Sequence, residues 1–306
     1  MPTENEDEAT ILGIIACSVR QKGIDKVYSR IMKWNEMKNR KNCITFVSGC
    51  ILPADRERFL KLFDLVFTMN DLPDLPDMIR QYGIVIPTNQ QPIVNIQRPL
   101  VPLFNKKDKI NPSANMDRFW VIEPDHISEF EAFIPIQNGC NKFCTYCAVP
   151  YTRGRERSRD VDSIKNEVLD LQAKGYKEVT LLGQNVNSYC YQSFDNSGNP
   201  TTIHFPALLE TIAQLVPQMR IRFTTSHPKD MSDETLEVIA RYPNLCRFIH
   251  LPVQSGSNRI LRLMNRKYTR EWYLDRIAAI RRILPDAAIS TDVFCGFHSE
   301  TVEEHQ

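Results

Sequence analysis

No run of about 18 apolar residues occurs in this 306-residue sequence, so no segment has the length and character of a membrane-spanning helix. Charge of one sign is also lacking: 38 Lys and Arg stand against 37 Asp and Glu, a formal +1. A chain so balanced does not hold a polyanion through its overall field, so any nucleic-acid contact must come from a local patch. Met1 to Glu8 is acidic and polar and has neither the basic start nor the apolar core of a secretory signal. With that signal missing, nine cysteines point to a reducing cytoplasm, where thiols serve metal binding or catalysis rather than disulfides. What remains is ordinary for a globular protein, 42% hydrophobic and 25% charged, with a length that favours two domains over one.

The cysteines are unevenly spread. Cys140, Cys144 and Cys147 form C-x3-C-x2-C within Gly139-Cys140-Asn141-Lys142-Phe143-Cys144-Thr145-Tyr146-Cys147, straight after an apolar run from Glu131 to Ile136 that reads as a strand. Three thiolates suffice for three irons of a [4Fe–4S] cluster and leave the fourth iron open to a small molecule. S-adenosylmethionine, which supports radical chemistry, is the candidate for that position. Structural zinc prefers four ligands, often in paired C-x2-C hooks, and neither a second hook nor a nearby histidine follows Cys147. A disulfide is disfavoured by the missing secretory signal.

Patterns of strand and helix divide the chain into a small domain at 1–82, a linker at 83–130 and a larger domain at 131–306. In the first, apolar runs at Thr10–Ala16, Cys43–Val47 and Asp64–Phe67 read as parallel strands. Ile24, Val27, Ile31 and Trp34 recur at helical spacing between the first two, and Pro73–Arg80 reads as a short helix. Pro87, Pro92, Pro99, Pro102 and Pro112 break any long helix in the linker. From Glu131 onward come five βα repeats, with strands also at Glu178–Leu182, Arg220–Thr225, Arg247–Leu251 and Ala288–Val293. The fold class is α/β: a small parallel-sheet domain followed by a partial (βα) barrel, with its site at the carboxyl ends of the strands.

Each strand end carries polar residues. They are the cysteine loop, Gly183-Gln184-Asn185-Val186-Asn187, Thr224-Thr225-Ser226-His227-Pro228, His250 to Ser257, and Ser290-Thr291-Asp292 with Gly296 to Thr301. One such cluster is an ordinary turn; the series points to a shared site. Ser226, Gln254 and Ser255 carry hydroxyl and amide groups suited to the ribose and methionine parts of the cofactor. His227 and His250 read as structural hydrogen-bonders, and Cys190, Cys246 and Cys295 as packing residues. Arg153, Arg155, Arg157 and Arg159 alternate just after the cysteine loop; guanidinium groups there suit RNA phosphates or support of the cofactor, although such rows are often only solvated loops. Cys17 and Cys50 follow the first two strands and, taken alone, read as buried cysteines.

The cysteine loop, with Tyr146 before its last cysteine and Ala148-Val149-Pro150-Tyr151-Thr152-Arg153-Gly154-Arg155 after it, resembles the radical-SAM methylthiotransferases over nearly the whole chain. Within that family the Gly183–Asn187 segment is most similar to the subgroup acting on isopentenyladenosine in tRNA. The resemblance implies a cluster on Cys140, Cys144 and Cys147, with Tyr146 beside the cofactor and Gln184 and Asn185 binding its amino group. It implies that Ala16-Cys17-Ser18-Val19-Arg20 and Val47-Ser48-Gly49-Cys50 are two of three motifs holding an auxiliary cluster for sulfur delivery. The third motif is missing. Cys43, seven positions before Cys50 and thus roughly 23 Å away along a strand, is a poor substitute. The family would continue beyond Gln306 with a further βα unit and an RNA-binding β-barrel, so both ends read as truncated. Its activity is hydrogen abstraction from C2 of the adenine by a 5′-deoxyadenosyl radical, followed by transfer of a methylated sulfur. The implied partners are tRNA, an electron donor and a sulfur donor, the implied state a cytoplasmic monomer without membrane contact. Alternative substrates are a ribosomal protein or threonylcarbamoyl-adenosine in tRNA; the alternative class is a non-catalytic zinc- or RNA-binding remnant. His298 stands where the family usually has proline.

Overall fold

A computed structural model describes residues 3–17, 21–81, 119, 120, 122, 124, 126, 128–194 and 198–306. Most of the expected linker, with its prolines up to Pro112, and Ser18-Val19-Arg20 lie outside these. Two compact units result: Met1–Glu123 with Tyr151–Gly154, and Pro124–Pro150 with Arg155–Gln306. Among the described residues no helix is long and apolar enough to cross a membrane.

The first unit follows from its apolar runs. Strands β1 (Ile11–Cys17), β2 (Ile44–Cys50) and β3 (Leu65–Val66) form a parallel sheet in that order. Helix α1 (Gln21–Lys38) connects β1 to β2 and buries Ile24, Val27, Ile31 and Trp34, the four residues whose spacing predicts one helical face. They join Leu12, Ala16, Val47 and Phe59, the last from α2 (Pro53–Phe59), in one core. A smaller core gathers Ile44, Leu65, Phe67 and Met78, the last on α3 (Leu75–Arg80). Gly49 is required where it stands: its φ is +115°, and a Cβ there would meet the Ala16 carbonyl oxygen at 2.1 Å.

In the second unit β4 (Glu131–Pro135), β7 (Glu178–Leu182) and β10 (Arg220–Phe223) are parallel, with β7 central. Strands β11 (Phe248–His250) and β12 (Ala288–Ser290) form a second parallel pair, tied to β10 by a single bridge between Ile221 and Leu245. The order β4-β7-β10-β11-β12 is the partial barrel expected. Helices α4 (Val161–Ala173), α5 (Phe205–Leu215), α6 (Asp233–Arg241) and α8 (Arg270–Ile283) connect these strands. Side-chain caps start three of them: Asp160 accepts from the Ser163 amide, Ser232 from Thr235 and Thr269 from Trp272. Ile134, Leu181 and Ile221 from the strands meet Ile164, Leu208, Leu236 and Ile280 from the helices in one continuous core. Each such fully buried side chain contributes about 1.5–3 kcal/mol. Three elements were not expected: a two-residue ladder of β5 (Gln137–Asn138) on β6 (Arg157–Ser158), a hairpin of β8 (Cys190–Phe194) and β9 (Pro200–His204), and α7 (Asn258–Leu263).

Candidate active site

The cysteine loop leaves the carboxyl end of β4 and is closed at its base by the β5–β6 ladder. Gly139, at φ +79°, turns the chain out of β5, and its amide donates to the Gln184 side-chain oxygen at 2.6 Å. Phe143 takes a left-handed φ of +51°, with the Arg155 guanidinium 4.6 Å over its ring. Beyond it the Cys147 amide donates to the Cys144 carbonyl at 2.9 Å. The segment after α7 fixes the loop from another side: Asn265 donates to the carbonyls of Lys142 and Phe143, and Thr145 donates through its amide to Met264 and through its hydroxyl to Leu263.

Four strand-end loops are stitched together around it. Asp230, after β10, accepts from Lys142 Nζ at 2.6 and 2.8 Å and from Asn185 Nδ2 at 2.6 Å. The Asn185 oxygen accepts from the His227 amide at 3.1 Å, and Thr225 Oγ1 donates to the Gly183 carbonyl at 2.6 Å. Asn185 is 1% exposed, and its side chain joins the β7 and β10 loops through one hydrogen bond at each end of its amide. Gln184 keeps its amide nitrogen as a donor, since only its oxygen is engaged with Gly139. Ser255 is buried, with its hydroxyl accepting from the Ser257 amide, and Gln254, at φ +70°, pairs with the chain beyond β12. The Tyr146 ring lies 5.3 Å from Phe294, and its burial raises the phenol pKa far above the usual tyrosine range.

Arg266 was not anticipated. It is 6% exposed, and one of its N–H groups points at Cys144 Sγ at 3.3 Å and at the Tyr146 hydroxyl at 3.4 Å. A buried arginine gives no signal in sequence; the only cue is Tyr268 two positions on. Asp230 was missed because it falls just past the segment read as a strand end, and Lys142 because it sits among the cysteines.

Burial dominates the electrostatics of the loop. Burial raises the pKa values of the Cys140 and Cys147 thiols, and the neighbouring thiols add to it. Iron coordination reverses that, since a metal deprotonates the thiols that bind it. Among the described residues, no three His, Cys, Asp or Glu side chains converge as ligands of one metal ion. A closed zinc site takes four ligands, whereas the three thiols of this loop match the three cysteine-held irons of a cubane with one iron left open. Buried polar atoms without partners mark the strand ends: Gln137 Oε1 after β4, Asn187 Oδ1 after β7, and Ser226 Oγ and His227 Nε2 after β10. Such atoms are costly unless a ligand or water meets them, which fits a polar cofactor such as S-adenosylmethionine. His227 Nδ1 accepts from the Lys229 amide at 3.2 Å, which leaves Nε2 as the protonated nitrogen. Burial, with Arg266, Lys142 and Lys229 nearby, holds the His227 pKa down to about 2. His250 is a hydrogen-bonder as expected, its Nδ1 2.8 Å from Ser290 Oγ.

The arginines separate. Arg155 is exposed and Arg157 lies on β6, half-buried. Arg159 is 6% exposed, bonded to Ser163 and paired with Glu167. These contacts brace the start of α4. Arg153 belongs to the first unit, where its Nε lies 3.1 Å from Cys50 Sγ. In that unit Cys17 and Cys50 are the last residues of β1 and β2 and stand opposite each other in register; Cys43 is buried in the core. Cys190 and Cys295 are exposed, contrary to their reading as packing residues, while Cys246 is half-buried.

Known proteins resemble this chain in sequence and in fold. The sequence model described as the Radical SAM superfamily matches residues 134–306. A tRNA-2-methylthio-N(6)-dimethylallyladenosine synthase of Parabacteroides distasonis is 52% identical across 99% of this chain, and one of Phocaeicola vulgatus 50% identical across the same share. The chain spans 62% of the length of each. Among solved structures, the radical S-adenosylmethionine methyltransferase TsrM of Kitasatospora setae, bound to tryptophan and a cofactor analogue, superposes with a TM-score of 0.61. It is 16% identical, over 96% of this chain and 58% of that one, a likeness of fold alone.

Proposed function

As the chain belongs to the radical SAM superfamily, we propose that it carries out tRNA methylthiolation, placing a methylthio group on C2 of an adenosine that bears an N6-dimethylallyl (isopentenyl) group. The observation that carries this is the three-cysteine loop pinned at a strand-end site, in a chain 52% identical to a synthase of that name. Cys140, Cys144 and Cys147 would hold a [4Fe–4S] cluster, which with S-adenosylmethionine supplies radical chemistry at an unactivated C–H bond.

The protein's own groups orient and enclose. Gln184 fixes Gly139 and keeps its amide N–H₂ for the cofactor, and Ser226 Oγ and the His227 Nε2–H offer further hydrogen bonds. Tyr146, Phe294 and Phe297 pack as an aromatic cluster beside the last cysteine of the loop. Gln254 and Ser255 shape the loop after β11. Cys17 and Cys50, side by side at adjacent strand ends, are proposed as two ligands of an auxiliary cluster, and Arg153, Arg155 and Arg157 as contacts to RNA. The partners are then tRNA, an electron donor and a sulfur donor, and the working state a cytoplasmic monomer.

The test is anaerobic reconstitution with iron and sulfide, reading iron content, reductive cleavage of S-adenosylmethionine and mass spectrometry of tRNA lacking the modification. Cleavage and a methylthio mass increment on tRNA, both lost in Cys144→Ala, are expected. Cleavage with no change in tRNA would move the substrate elsewhere; zinc in place of iron would remove the radical reading.

A further inference from the structure

We infer that Arg266 sets the reduction potential of the cluster held by Cys140, Cys144 and Cys147, by presenting a fixed guanidinium N–H to the Cys144 sulfur. This rests on the cluster reading above. Three observations carry it. Arg266 is buried, and the groups facing its charge are Tyr268, Tyr146, Cys144, Cys147 and the neutral His227; no carboxylate among the described residues pairs with it. A buried cation without an anion is costly, so the structure calls for negative charge at this spot, and a thiolate-ligated cluster supplies it.

The second observation is anchoring. Nε donates to the Tyr268 hydroxyl at 3.0 Å and Nη2 to the Pro252 carbonyl at 3.1 Å, while the guanidinium lies 5.3 Å from the Tyr268 ring centroid. Tyr268 is itself held, its hydroxyl donating to the Val253 carbonyl at 3.0 Å. Nη1 alone faces the cysteine loop. The third is chemical type. A guanidinium keeps its charge at every working pH and its N–H directions are fixed, so the contact does not come and go as a lysine's would.

The consequence is a direction. Reduction adds one electron from an external low-potential donor and takes up no proton, so the cluster becomes more negative by one charge. The attraction of Arg266 is therefore greater for the reduced form, and hydrogen bonds to the sulfurs raise the potential further. Arg266 acts through Cys144 and is a positioning residue; it makes the cluster easier to reduce.

The experiment is a redox titration of the anaerobically reconstituted full chain without S-adenosylmethionine, following the electron paramagnetic resonance of the reduced cluster. In Arg266→Gln the equilibrium constant for reduction falls about tenfold, a shift of about 59 mV to lower potential for one electron. Arg266→Lys, which keeps the charge and loses the fork, shifts less in the same direction. If the unsubstituted chain holds no iron, the cluster reading fails. If it titrates normally and Arg266→Gln titrates at the same potential, only the present inference fails. Should Arg266→Gln not retain iron, the potential is read in Tyr268→Phe, where the guanidinium keeps its charge but loses its Nε acceptor. A smaller downward shift is expected there, and an unchanged potential overturns the inference.

Discussion

The site depends on a carboxylate that touches neither cysteine nor cofactor. Asp230 accepts both contacts from Lys142 and one from Asn185, and with side-chain exposures of 19% for Asp230 and 22% for Lys142 the pair is largely screened from water. Replacing Asp230 by Asn keeps the shape but removes the charge and one acceptor oxygen. Charge-assisted hydrogen bonds contribute about 1.5–3 kcal/mol each, and breaking a fully buried ion pair costs about 3–5 kcal/mol. Partial exposure lowers this to a loss of about 2 kcal/mol for the second unit. For a domain of roughly 150–250 residues that amounts to a drop of about 4–8 °C in Tm. The assay is thermal unfolding of the metal-free protein by circular dichroism at fixed pH, for Asp230→Asn, Lys142→Met and the double variant. A coupling of about 1–2 kcal/mol between the two is expected. Strictly additive losses, or a single-variant loss below about 0.5 kcal/mol, would refute the idea that this pair holds the loop.

Three further outcomes follow from the same geometry. With a folded-state pKa near 2, His227 stays neutral where an unfolded imidazole, near 6.5, is protonated; its stability contribution is complete above pH 6.5 and is lost as pH falls toward 2, by about 1.4 kcal/mol per pH unit. Denaturant titrations between pH 7 and 4.5 should show that slope, reduced by this amount in His227→Gln. Gly49→Ala forces a Cβ against the Ala16 carbonyl at a positive φ, so the first unit loses about 2 kcal/mol or more while β4 to β12 keep their protection in hydrogen exchange. Arg155→Gln weakens binding of a single-stranded anticodon-loop RNA and lowers the salt slope by about 0.7, whereas Arg159→Gln leaves the slope unchanged and lowers stability through the unpaired Glu167.

The legible parts of the fold were those whose burial is periodic. Helix α1 could be read from Ile24, Val27, Ile31 and Trp34 because one face of a helix meets one core. The strands β4, β7 and β10 could be read because Ala132 and Ile134, Val179 and Leu181, and Ile221 and Phe223 alternate into one core, even where Phe133, Arg220 and Arg222 on the other face are exposed or half-buried. The β8–β9 hairpin could not: Cys190 and Phe194 are exposed, so no apolar alternation marks them. Helix α7 has only six residues, too few for a period to show. Strands β11 and β12 are each three residues long and shorter than their apolar runs, because only three positions of each find partners in the ladder. Within the site, cysteine spacing identified the loop, but the four arginines after it are indistinguishable as letters. The turn into α4 buries Arg159 against Glu167 while Arg155 stays outside. Arg266 and Asp230 owe their roles to distances of 122 and 88 residues along the chain, to Cys144 and Lys142, which no local pattern encodes.

That separation has a cost in time. A ribosome adding about 5–20 residues per second makes Cys144 roughly 6–24 s before Arg266. Through that interval the three thiols are on the nascent chain without the guanidinium that faces them or the α7 segment that clamps Thr145. Asp230 arrives earlier, so the loop gains its first tether to Lys142 before the second half of the barrel exists. Synthesis therefore builds the loop in stages, and the buried cation, whose charge most needs an anion, arrives only after the thiols and their first tether.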